Sequence, residues 1–431
     1  MGNATASVRA RLERREQKAD ALANAVLEWW DANALAQASA LDEQSVGERP
    51  LRGLIMSVKA NVDVAGARTT AASRSLLDSE PAAADAPLVA QLRAAGAIFL
   101  AQTNMVEFAY GALGPNPHFG TPFSPLFPGE RRVTGGSSSG AAVTVALGIV
   151  DAAIGTDTSG SVRIPAACCN VAAFKPTQGR YSDEGIIPLT PSLDTAGFLA
   201  PDIATCEQLD AVVTGRDRTD VSSGLAGLRF VVPRGFIEAV GCDSQIVDRF
   251  DEVLRLLRQR GAVIDEADMA YLTEIGDAAR AGSIVSVEAH VWHSTLLAEK
   301  SDRYDPRVAP RIAAGASVPA VTYVRARRRL DALARRYSVD LGDAVALLTP
   351  TIPGPPPRID ELDDEARYLA LNLRILRLTE IANRINVPSL CMPIGDGAGA
   401  ASIMLTGRNG DDVRLLQAGR AVEDVMKRLD P

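Results

Sequence analysis

The sequence is poor in the side chains that most often carry metal and redox chemistry, with three histidines and five cysteines among 431 residues. The cysteines (Cys168, Cys169, Cys206, Cys242 and Cys391) are odd in number and form no C-x-x-C. That excludes a closed disulfide framework and fits reduced, buried thiols in a cytoplasmic protein. His290 and His293 lie in "EAHVWHS", near one face of a predicted helix with Glu288 close by. The spacing is not H-E-x-x-H and reads as a partly exposed histidine pair, while His118 sits in the turn "NPHFG" without an obvious partner. No metal and no organic cofactor are expected. Long apolar runs are missing too: "AAVTVALGIV" (141–150) stops at Asp151, short of the ~18 residues of a membrane span. The N-terminus mixes acids and bases too early for a signal peptide, and Ala6 stands where myristoylation needs Ser or Thr. Basic charge is not in excess either. With 45 Lys and Arg against 53 Asp and Glu the net charge is −8, which would repel nucleic acids and anionic membranes and leaves small molecules as the expected partners.

What is present is the composition of a folded, water-soluble protein, 47% hydrophobic and 23% charged, without the bias of disordered or collagen-like chains. Apolar periodicity alternates strands with helices. "LIMSV" (54–58) reads as a strand, "APLVAQLRAAG" (86–96) as a helix with Asp85 near its N-cap and Gly96 past its end, and "AIFLA" (97–101) as the next strand. The order recurs in "LRFVV" (228–232), a helix with Ile246, Val247, Phe250, Val253, Leu254 and Leu257 on one face, and "AVI" (262–264). Further strands are predicted at 344–350, 389–393 and 401–407, helices around 364–384 and 412–428, and an irregular proline-rich connection at 349–359. No fixed-period repeat or long linker divides the chain, so one α/β domain over 1–431 is expected.

Serine is concentrated in two small-residue loops, "GGSSSG" (135–140) and "GTDTSGS" (155–161). A hydroxyl becomes a useful nucleophile only when a base removes its proton. "GSSSG" formally matches the G-x-S-x-G nucleophile elbow with Ser138 at its centre, but the preceding "SPLFPGERRVTG" offers little strand for such an elbow to follow. Lys59, at the end of "LIMSV", is the other candidate base: desolvation would bring its pKa toward neutrality, whereas snorkelling to water would leave it an ordinary lysine.

With "VKANVDVAG" (58–66), "GGSSSGAAV" (135–143), "GTDTSGSVRIPA" (155–166) and "FKPTQGR" (174–180) in this order, the chain resembles the amidase signature family of serine amidohydrolases. The resemblance extends through 92–111 and 186–200, and more weakly through 347–357 and 386–395. It implies a large mixed β-sheet covered on both faces by α-helices, with a helical N-terminal segment (1–50), a signature core at about 51–200, and a remainder that completes the sheet and the pocket. It implies hydrolysis of a linear carboxamide or ureido-type C–N bond through a serine acyl-enzyme, and a homodimer. The triad it implies is Ser161 as nucleophile, Ser137 as the cis-serine and Lys59 as base. Backbone N–H groups of Thr158, Ser159, Gly160 and Ser161 would form the oxyanion hole, and the next helix, with Pro165 in its first turn, would add its positive end. Gly135, Ser138, Asp157 and Arg163 would hold the loops or the substrate. Two positions depart from the family: Ser159 replaces the usual Gly, and Lys59 is followed by Ala60 and Asn61 rather than "DN" or "DL". Two other readings share these motifs. One is the glutamyl-tRNA amidotransferase component that releases ammonia from glutamine with the same triad, and the other is a catalytically silent scaffold relative.

Overall fold

Strand residues that alternate between two hydrophobic cores define the architecture. In the computed structural model, which describes residues 3–43, 49–217, 224–395 and 398–427, Met56, Val58, Phe99, Ile154, Phe174 and Phe198 pack into one core. Ile55, Ile98, Leu100, Ala153, Ala173 and Leu199 pack into the other. Successive side chains of a strand point to opposite faces, so a sheet buried on both faces needs near-continuous apolar runs. The short runs in the sequence are of that kind.

The strands are β1 (Val26–Trp29), β2 (Ile55–Lys59), β3 (Ile98–Thr103), β4 (Ala152–Asp157), β5 (Ala172–Lys175), β6 (Thr195–Ala200), β7 (Arg229–Pro233), β8 (Val263–Ala267), β9 (Ala346–Pro350), β10 (Ser389–Pro393) and β11 (Ser402–Thr406). They form one eleven-stranded sheet in the order β1-β3-β2-β4-β6-β5-β10-β11-β9-β7-β8. β2 pairs in parallel with β3 and β4, while β6, β5, β10 and β11 add antiparallel pairs. This is the large mixed sheet that the resemblance implies. Helices Pro87–Ala94, Ile203–Thr214, Ser244–Gln259 and Asp412–Met426 contribute Leu88, Leu209, Phe250 and Leu416 to one face. Ala4–Gln17, Ser139–Ala146 and Arg163–Cys168 contribute Val8, Val143 and Ile164 to the other.

The N-terminal segment differs from the expected all-helical one. Between helices Ala4–Gln17 and Asp31–Glu43 runs β1, which pairs antiparallel with the outer side of β3. β-branched and aromatic side chains in "VLEW" and an otherwise open sheet edge outweigh local helix propensity there. The parts of that expectation at 1–2 and 44–48, and residue 428 of the last helix, lie outside the described residues. The region 364–384 is two helices, Glu365–Leu376 and Glu380–Arg384. Asp85 stands next to the N-cap, Ala86, as expected, but its carboxylate accepts from Ala65 N–H and pairs with Arg93 instead of capping the helix. All five cysteines are unbridged. Among the described residues no helix is long and apolar enough to cross a membrane.

Candidate active site

Because β2 and β4 run parallel in register (Met56 opposite Ala152, Val58 opposite Ile154), their carboxyl ends leave the sheet side by side. The end of β2 delivers Lys59, and the end of β4 delivers Asp157 and the turn that follows. Crevices at the carboxyl ends of parallel strands are where open α/β sheets place their ligand sites.

Lys59 is completely buried. Its Nζ lies 2.8 Å from Ser137 Oγ, 2.7 Å from Thr156 Oγ1 and 3.3 Å from the Thr156 carbonyl. Burial pulls its pKa from 10.5 down to about 7, although Asp157 and Asp194 act in the opposite direction. The lysine therefore does not snorkel to water, and burial favours its neutral form. Ser137 follows a cis peptide bond from Gly136. Gly135, at φ +68°, runs against the helix of Ser161's loop: a Cβ there would stand 2.9 Å from Ile164 Cγ2 and 3.0 Å from Cys168 Sγ. The two serine loops are tied by a hydrogen bond from Ser138 N–H to the Ser161 carbonyl at 3.2 Å.

Asp157 organises the turn. Its carboxylate accepts from Gly160 N–H (2.7 Å), Val162 N–H (3.0 Å), Arg163 Nη2 (3.0 Å) and Arg163 Nε (3.2 Å). Burial alone would raise its pKa, but the charge and hydrogen bonds of Arg163, the Lys175 charge and the Val162 amide together hold it well below the usual carboxylate range. Arg163 is itself fully buried and also donates to the Thr379 carbonyl (2.9 Å) and Asn383 Oδ1 (2.7 Å). Arg163 thus orients the loop and is absent from the cavity lining. With the Gly160 amide committed to Asp157, three of the four expected oxyanion amides, those of Thr158, Ser159 and Ser161, make no hydrogen bond to any described residue.

Ser161 lines a cavity of about 330 Å³, and its side chain donates to none of the described residues. Ser137 and Ser161 are not hydrogen-bonded to each other. The cavity walls come from Tyr110, Gly111 and Ala112, from the start of helix Ile284–Lys300 and from Leu369, Leu373 and Leu376. Ser138 is buried behind the turn with its Oγ 3.3 Å from the Thr156 carbonyl, and only isolated bridges at Arg132 and Val133 precede it, so the strand of a nucleophile elbow is missing among the described residues.

Three polar residues went unnoticed in the sequence. Thr379 Oγ1 donates to the Ser159 carbonyl (2.7 Å), Asn383 Nδ2 to the Asp157 carbonyl (2.8 Å), and Arg384 Nη2 to Ser159 Oγ (3.0 Å). All sit in "TEIANR", just before the weakly matching 386–395, and no local pattern marks them. Glu288 faces Ser192 and Tyr323 rather than the histidines. His293 is not partly exposed but fully buried, 2.9 Å from the Tyr304 hydroxyl and edge-on to Phe108, and burial, aided by His290, lowers its pKa to about 3. The packed cluster of Phe108, Trp292 and Tyr304 around it excludes water. His118 has a neighbour after all, Glu107 at 3.8 Å. No group of three His, Cys, Asp or Glu side chains among the described residues converges as metal ligands would.

Comparison with known proteins identifies the family and the fold. The model of the family described as Amidase matches residues 6–416. The 2-amino-5-chloromuconic acid deaminase of Comamonas testosteroni is 34% identical, covering 96% of this chain and 94% of its own. A component of the glutamyl-tRNA(Gln) amidotransferase of Halobacterium salinarum is 30% identical over 88% of this chain and 97% of its own. A solved structure described as a crystal structure of amidase superposes with a TM-score of 0.88 at 31% identity, covering 99% of this chain and 96% of the other. A family match over nearly the whole length, with the same large mixed sheet, makes this chain a member of the amidase signature family and an amidase acting on C–N bonds.

Proposed function

We propose that the chain hydrolyses a linear carboxamide or ureido-type C–N bond through an acyl-enzyme on Ser161, with Ser137 and Lys59 as its proton relay. The observation that carries this reading is the hydrogen bond from a fully buried Lys59 to Ser137 at 2.8 Å, on a loop tied to Ser161. Neutral Lys59 takes the Ser137 proton as Ser137 takes that of Ser161, and Ser161 Oγ adds to the carbonyl carbon. The Ser137–Ser161 hydrogen bond closes when substrate is bound, as catalytic contacts that are loose in the free enzyme do. Negative charge on the former carbonyl oxygen meets the free amides of Thr158, Ser159 and Ser161, each such donor contributing about 2.7–4 kcal/mol to the transition state. Collapse breaks the C–N bond, and the relay returns the proton to the leaving ammonia or amine. Water, deprotonated by the same relay, then releases the carboxylic acid and restores Ser161. Asp157 and Arg163 act as positioning residues.

Intact-mass analysis after treatment with a small fluorophosphonate tests the assignment without knowledge of the substrate. One adduct on wild type and on Ser138→Ala, absent from Ser161→Ala and much slower in Lys59→Ala, is the expected result. Labelling that survives Ser161→Ala and disappears in Ser138→Ala would overturn it. The similarity to the amidotransferase component favours one second reading, in which the same triad releases ammonia from glutamine for a partner. Glutaminase activity that appears only with partner proteins would mark that case.

A further inference from the structure

Arg384 ends helix Glu380–Arg384 and lines the same cavity as Ser159 and Ser161. It is only 8% exposed, yet two of its donors, Nε and Nη1, are buried without a hydrogen-bond partner among the described residues. Nη2 donates to Ser159 Oγ at 3.0 Å. The carboxylate within ion-pair reach, Glu380, is 3.8 Å away and is held by Arg280 at 2.8 Å. Leaving guanidinium donors buried and unmade is costly, and in a cavity wall a ligand that accepts from them removes that cost. Arg280, Arg311 and Arg384 against Glu380 give the cavity wall an excess of positive charge. Burial also lowers the Arg384 pKa, with Glu380 opposing, which is the signature of a cation short of compensation.

We infer that Arg384, braced by Ser159, binds a carboxylate of the substrate, so that the substrate class is a short linear amide whose chain bears a carboxylate a few bonds from the scissile carbonyl. The inference rests on the reading of Ser161 as nucleophile. Ser159 and Ser161 are two residues apart, so their Cα atoms lie within about 7 Å, and a group held beside Ser159 Oγ is joined to a carbonyl at Ser161 by a short chain. With Gly in place of Ser159, Nη2 would lose its acceptor. The hydroxyl accepts from Arg384 and keeps its own proton to donate to a carboxylate oxygen.

The test compares malonamic, succinamic and glutaramic acids with propanamide, butanamide and pentanamide as substrates, and malonate, succinate and glutarate with the matching monocarboxylates as protectors of Ser161 against fluorophosphonate. Wild type should favour at least one half-amide over its neutral counterpart by about 30-fold or more in kcat/KM, equivalent to about 2 kcal/mol. At least one dicarboxylate should slow labelling where the monocarboxylates do not. In Arg384→Met the acid-to-neutral ratio should fall toward one, mainly through KM, with partial recovery in Arg384→Lys, and Ser159→Gly should reduce the same ratio. The protection assay uses wild type and does not depend on the variants folding. Normal labelling of Ser161 with neither acid preference nor dicarboxylate protection overturns the inference and leaves the Ser161 reading intact. Failure of wild type to label at all strikes that underlying reading instead.

Discussion

Lys59 Nζ and Ser137 Oγ stand 2.8 Å apart with neither side chain open to water. A lysine in that position is useful only when neutral, and burial brings its pKa to about 7. The rate of Ser161 labelling, or kcat/KM for any amide, should therefore rise with pH and level off above pH 7, where the base has lost its proton. Lys59→Met should lower the plateau by about 10²–10⁴-fold, the usual share of a general base. The sign for stability is the reverse of an ordinary ion pair. The folded pKa lies below the unfolded 10.5, so between pH 7 and 10.5 the unfolded chain binds more protons and stability gains from rising pH in that window. Lys59→Met should remove that gain, read as a shallower dependence of the unfolding midpoint on pH.

Ser137 and Ser138, neighbours in the 135–140 loop, should separate cleanly. Ser137→Ala interrupts the proposed relay and should slow labelling by about 10²–10⁴-fold. Ser138→Ala removes only an Oγ contact to the Thr156 carbonyl at 3.3 Å, and should cost about 1 kcal/mol of stability while Ser161 still reacts. Equal losses in both variants would mean that the loop as a whole, rather than the Ser137 hydroxyl, governs reactivity.

The difference between what the sequence revealed and what it concealed follows from how far each contact reaches along the chain. Lys59, Ser137 and Ser161 sit in compact small-residue motifs, and the alternating cores of β2 and β3 make those strands legible as apolar runs. Asp157 and Arg163 are six residues apart and share one turn, so their pairing lies within a single motif. Arg384 contacts Ser159 across 225 residues, and Thr379 and Asn383 act over similar separations. Nothing local to "TEIANR" requires those side chains to converge on the turn. β1 was hidden for a related reason, since the β-formers among its four residues become a strand only against the free edge of β3, which lies about 75 residues further along the chain.

Arg163 is a buried cation whose partners are all within the protein. Arg163→Met leaves the Asp157 carboxylate buried with only its two backbone donors and the more distant Lys175 charge. Breaking one side of such a pair typically costs about 3–5 kcal/mol, so the midpoint of chemical denaturation should drop by a corresponding amount. Arg163→Lys restores charge but not the fork that serves Asp157, Asn383 and Thr379 together, and should recover only part of the loss. A denaturation midpoint for Arg163→Met within error of wild type would refute the positioning role.

Gly160 offers the sharpest test of how the turn is held. Its φ of +132° lies in a region that side chains rarely adopt, and an added Cβ would stand 2.2 Å from Thr379 Oγ1 and 2.7 Å from Thr379 Cβ. Gly160→Ala should therefore incur both backbone strain of about 1–3 kcal/mol and a steric clash that displaces Thr379 from the Ser159 carbonyl. Because the Ser159 and Ser161 amides flank this residue, labelling of Ser161 should suffer more than stability does. The contribution of the Thr379 hydroxyl can be separated by a double-mutant cycle with Thr379→Ala, which removes Oγ1 and leaves Thr379 Cβ (2.7 Å) and Ile164 Cδ1 (2.8 Å) near the new methyl. If the clash is real, the double variant is less destabilised than the sum of the single ones, with a coupling of about 0.5–3 kcal/mol. Strict additivity would show that the Thr379 hydroxyl takes no part in the cost and does not set the position of the turn.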